Sequence, residues 1–181
     1  MKKNVIYLFI YCFAVATICF SACQEEVDLH KKGDDENEDI ISSHIESEII
    51  KEKIFDYLNT NDFYGIRNMF CEIVQSTEEL DEQIQKVLEF FDGEIISYNK
   101  FSSTTNRSRS IRNGVVTELD IFTELREIKT NMGKTYEIWF SAYLINLGYA
   151  STIGLSELHI RDDTGEERKI GDYYLVNNEW R

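Results

Sequence analysis

The chain has little of what metal centres, disulfide scaffolds and nucleic-acid surfaces are made from. Its 181 residues include four cysteines, three histidines and no proline. Cys12, Cys19, Cys23 and Cys71 are too few and too scattered for a zinc ribbon or a disulfide framework. Lysine and arginine total 19 against 33 acids, a formal charge of −14. That balance excludes the concentrated basic face on which nucleic-acid binding depends. There is no glycine-rich phosphate loop, no Gly-x-Ser-x-Gly elbow and no His-Glu-x-x-His pair. No cofactor and no metal is expected.

An ordered address stands at the beginning. Lys2 and Lys3 precede an apolar run from Val5 to Phe20, and Phe20-Ser21-Ala22-Cys23 follows with small residues before a cysteine. This is the order of a secretory signal peptide, which is set aside in reasoning about the fold. It resembles the lipobox of bacterial lipoproteins, with Phe20 where leucine is usual. The resemblance implies cleavage after Ala22 and a lipid on Cys23, hence a membrane-anchored protein of the bacterial cell envelope with its domain outside the cytoplasm. Residues 1–22 are then the signal peptide. An uncleaved transmembrane anchor and plain secretion are the alternative readings, the run being close to the length that spans a bilayer. With Cys23 lipidated and the signal peptide gone, Cys71 is left alone, set among apolar residues at helical spacing as a buried, inert thiol would be.

Residues 23–43 hold the acidic stretch Gly33-Asp34-Asp35-Glu36-Asn37-Glu38-Asp39. Self-repelling and poor in apolar side chains, this segment is expected to be a disordered tether. Its acids do not follow the spacing of an EF-hand loop. Residues 44–181 make the domain. Ile50, Ile54, Tyr57 and Leu58 form one helical stripe, Phe63, Ile66, Met69, Phe70, Ile73 and Val74 a second, and Leu80, Ile84, Val87, Leu88 and Phe91 a third that stops at Gly93. Beyond Gly93 the apolar period falls to two, over 94–104, 115–128, 134–147, 153–162 and a short fifth run. The expected fold class is α+β, with three N-terminal helices packed on a curved antiparallel sheet of four to five strands.

Two further stretches resemble a family. Leu80-Asp81-Glu82-Gln83-Ile84 with Phe90-Phe91-Asp92-Gly93-Glu94-Ile95-Ile96-Ser97-Tyr98, and Gly154-Leu155-Ser156-Glu157-Leu158-His159-Ile160 with Gly171-Asp172, look like the bacterial lipoproteins classed as domain of unknown function 5104. The resemblance implies a cystatin or nuclear transport factor 2-like cone and no assigned activity. The absence of proline near the C-terminus and the polar insert around Asn106–Arg112 depart from that family.

Within such a cone, Tyr98, Trp139, Tyr143 and His159 are the candidate ligand-binding residues. His159 is the one histidine placed to act as a base, since His30 and His44 lie in or beside the tether. Arg107, Arg109 and Arg112 are the candidate contacts for an anion or an acidic partner, on a segment that otherwise reads as a solvated hairpin tip. The functional expectation is a non-enzymatic domain that binds a small molecule or peptide. Two alternatives stand beside it: an acidic envelope or immunity-type protein that takes a basic protein partner, and an enzyme working from the pocket.

Overall fold

The computed structural model describes the backbone of residues 35–178 and the side chains of residues 45–176. Helix α1 spans Asp35–Asn59, α2 Phe63–Met69, α3 Glu72–Gln75 and α4 Leu80–Phe90. Five strands follow: β1 Ile95–Arg112, β2 Val115–Thr130, β3 Thr135–Asn146, β4 Gly154–Asp162 and β5 Glu167–Gly171. A 3₁₀ turn, Ala150–Thr152, stands before β4, and helix α5, Tyr173–Asn178, follows β5. The strands pair in sequence order as an antiparallel meander.

This corrects the expected fold class. Three comparable N-terminal helices laid on a cystatin or nuclear transport factor 2-like cone are not what the chain forms. The five-stranded sheet dominates, and apart from α1 the helices are short. The second apolar stripe is not one helix. It breaks at Phe70 and Cys71, both in extended backbone, where Phe70 bridges to Leu155 and the Cys71 N–H donates to the Leu155 carbonyl at 3.0 Å. Apolar spacing reports which residues are buried, and here pairing with a strand overrides helix propensity. The fourth helix in the chain meets the sheet at its edge: α4 packs along β5, and Gln83 accepts the Gly171 N–H at 2.8 Å. A fifth helix, unexpected from the sequence, follows β5 and meets α3 and β4.

The first helix begins inside the acidic stretch. Its inward face carries Ile54 and Leu58 into a core shared with Ile66, Val74, Leu80, Ile84 and Val87 from the other helices. Ile121, Ile138, Phe140, Leu158, Ile160 and Ile170 complete that core from the sheet. The first hairpin is tighter than the sequence reading placed it. Asn113 and Gly114 both have positive φ, the mirror-image turn that matches strand twist, so the arginine segment belongs to β1.

Candidate functional site

An apolar groove of about 400 Å³ lies between α1, α2 and the facing ends of β3 and β4. Residues 46, 50, 53 and 57 fall on one face of α1, which sets Ile50 and Tyr57 on the wall and Glu46 and Lys53 at the rim. Met69, Leu144, Ile145 and Ile153 are among the other lining residues. Gly65 brings α2 against this wall, because a Cβ there would lie 2.6 Å from the Tyr57 ring. Gly154 fixes the floor. Its φ of +125° and the 3.0 Å approach of its would-be Cβ to Met69 O and Cys71 N leave no room for a side chain. Bridges from Phe70 to Leu155 and from Tyr143 to Ile153 tie the floor together through backbone. The groove is therefore preformed. Ile153, one of its lining residues, remains exposed.

A larger and more open depression, about 870 Å³, is bordered by Lys86, Lys134 and Arg168 and by Glu89, Asp92, Asp162 and Glu166. Seven charged side chains of both signs favour a solvated surface over an apolar ligand. Arg168 lies over the Phe90 ring at 4.9 Å and pairs with Glu166.

The titratable cluster is elsewhere. Strand register sets Glu124, Trp139, His159 and Lys169 side by side across β2 to β5. Trp139 stacks on His159 with ring centroids 4.8 Å apart, and the Arg161 guanidinium lies 5.1 Å from the Trp139 ring. His159 is held from both sides, by Glu167 at 2.7 Å on Nδ1 and by Glu157 at 3.3 Å on Nε2. Ser141 donates to the other Glu157 oxygen at 3.0 Å. Burial pulls the imidazole's pKa down, but bonds and charge from the two carboxylates outweigh it, so the His159 pKa stands above its ordinary value. Burial likewise raises Glu157, while His159, Ser141 and Lys169 overcome it and hold the carboxyl below its usual range. A serine–histidine nucleophile pair has the histidine facing the serine. Here Glu157 lies between them, bonded to both, so Ser141 is not aligned on His159 as such a nucleophile would be.

Of the four residues read as lining one cavity, the structure brings only Trp139 and His159 together. Tyr98 meets α1: its hydroxyl accepts from Lys51 Nζ at 2.9 Å, and its ring packs edge-on against Phe55. Tyr143 borders the apolar groove and stacks in parallel on Tyr173 of α5, with centroids 6.4 Å apart. Burial first, then the Tyr173 hydroxyl and nearby carboxylates, push the Tyr143 phenol well above the usual range. Arg107, Arg109 and Arg112 fall in β1, opposite Ile121, Leu119 and Val115 of β2. Cys23, His30 and His44 lie outside the residues whose side chains are described. Cys71 is buried, and burial raises its thiol pKa. Among the described residues no group of histidine, cysteine, aspartate and glutamate is arranged to hold a metal, and no helix is long and apolar enough to cross a membrane.

Sequence reasoning missed the groove because its wall residues read as ordinary core stripes. It also missed Lys51, which is 4% exposed and bonded to Glu48 and Tyr98. The signal was present: residues 47, 51, 54 and 58 share a helical face, and Lys51 sits in the middle of that buried stripe.

Together these features define an antiparallel-sheet domain with an apolar groove and a separate charged clamp on the sheet. Residues 53–167 match the family described as Domain of unknown function (DUF5104), and the chain belongs to it. No curated protein matches the chain.

Proposed function

We propose that the chain is a binding lipoprotein of the bacterial cell envelope, whose apolar groove receives a small apolar molecule or an apolar peptide segment. One observation carries the reading of the site: a groove lined by Ile50, Tyr57, Met69, Leu144, Ile145 and Ile153, with Glu46 and Lys53 the charged residues among its lining. Burial of apolar surface against such walls supplies affinity without any reacting group. The anchor rests on Lys2, Lys3, the apolar run and Phe20-Ser21-Ala22-Cys23. Acyl chains on Cys23 would give stable membrane attachment where a single chain is marginal. The domain would then work outside the cytoplasm, held near the bilayer by the acidic segment.

Native mass spectrometry of the protein purified gently from its own host, with a denatured control, tests both halves. The native species should carry extra mass that is lost on denaturation. Ile153→Glu, a change at a residue 47% exposed, should leave the fold intact and weaken retention by about tenfold or more, because it sets a charge against the apolar walls. The denatured mass should correspond to a chain that begins at Cys23 and bears acyl groups. An unmodified full-length mass would overturn the anchor. A bare native mass, or an adduct indifferent to Ile153→Glu, would overturn the groove.

A further inference from the structure

Among the described residues, the charged side chains that line the apolar groove are Glu46 and Lys53, both on α1. No ion pair or hydrogen bond within those residues engages the Glu46 carboxylate or the Lys53 ammonium. Elsewhere neighbouring charges are paired: Lys51 with Glu48 on the same helix, Lys86 with Glu82 and Arg161 with Glu137. Both groove charges are exposed, so each is solvated and accessible.

Their spacing keeps them apart. Residues i and i+7 lie beyond the i+3 and i+4 spacings at which helix side chains pair. Seven residues are two turns, so the two charges are set about 10.5 Å apart along the axis of α1. Ile50 stands between them, and Leu144, Ile145 and Ile153 share the lining. Asn68 of α2 adds a polar group to it, and its amide has no partner among the described residues. The groove thus offers an apolar wall with an acid at one end and a base at the other.

We propose that this groove selects a short apolar peptide with both ends free, its ammonium on Glu46 and its carboxylate on Lys53. The proposal rests on the reading of the groove as a binding site and names the class of ligand. An extended tripeptide spans about 10 Å, which matches the separation of the two charges. Its apolar side chains are buried against Ile50, Leu144, Ile145 and Ile153. Asn68, donor and acceptor both, serves the peptide groups between the ends. The opposite charges fix the direction in which the peptide lies. An acyl chain with a carboxylate head would leave Glu46 idle, and an internal segment of a protein presents neither terminus.

The test titrates the full chain with trileucine in four forms: free, acetylated at the amino end, amidated at the carboxyl end, and blocked at both. Free trileucine should bind most tightly. Each block should weaken it about fivefold, the scale of one exposed ion pair. Glu46→Gln should abolish the penalty of acetylation and keep that of amidation, and Lys53→Gln should do the reverse. Both positions are exposed, so the variants should keep the fold, which their thermal melts verify. Added salt should narrow the gap between free and blocked peptides. Equal binding of all four forms, each weakened by Ile153→Glu, would overturn the free-ended ligand and keep the groove as a binding site. Penalties unchanged in Glu46→Gln and Lys53→Gln would place the peptide ends elsewhere and overturn the assignment. No binding of any form would overturn the peptide, while the groove itself stands or falls on the native mass.

Discussion

His159 is stabilised as a cation by Glu157 and Glu167, with Lys169 3.7 Å from Glu157 and Trp139 covering the ring. Its folded-state pKa lies above the ordinary 6.5, so its contribution is fully present below that pH and is lost as pH rises through the elevated value. Glu157 has the opposite sign: its contribution is present above 4.5 and is lost as pH falls through its lowered value. The clamp is therefore strongest between those limits. Thermal melts of the wild type should fall as pH is raised from 6.5, and His159→Gln should lack that part of the fall. A variant with an unchanged alkaline slope would show that the clamp contributes nothing. At this scale the sequence was legible in part. Alternation set His159 apart from Leu158 and Ile160, but Glu167 comes from the next strand, and only the β4–β5 register brings it to Nδ1.

Between elements, two glycines mark where backbones come closest. Gly154 seats β4 on the Phe70–Cys71 break. Gly171 has φ +75° and would place a Cβ 2.4 Å from the Ser156 carbonyl oxygen while its N–H is held by Gln83 of α4. Gly165, in the β4–β5 turn, also has positive φ but has nothing near its would-be Cβ. Gly171→Ala should therefore cost about 2–3 kcal/mol, and Gly165→Ala only the strain of its backbone, about 1 kcal/mol. Urea unfolding of the two variants checks this, and equal losses would remove close approach as the cause. The turn at Asn131-Met132-Gly133 falls in the gap between the period-two runs 115–128 and 134–147, and Gly133 has positive φ there. The break at Phe70–Cys71 was not legible, since nothing local to it marks a bridge to Leu155, distant in sequence. The Asn113-Gly114 turn was legible in principle, but the arginines beside it were read as loop.

At the scale of the whole molecule, the described residues form an apolar groove beside α1, a charged clamp across β2 to β5 and a basic edge strand, β1. Composition excluded a broad basic face but could not reveal a single basic strand within an acidic chain. Nor could it reveal the groove, because Ile50, Met69 and Leu144 carry the same apolar signal whether they face the core or line a cleft. Nuclear magnetic resonance mapping of the full chain separates the first two surfaces directly. An apolar extract of the host is titrated in, and the amide and methyl signals that move are assigned. The expected result is movement at Ile50, Met69, Leu144, Ile145 and Ile153, with Trp139 and His159 still. Movement centred on Trp139, His159 and Glu157, with the groove signals unchanged, would contradict the assignment of the binding site.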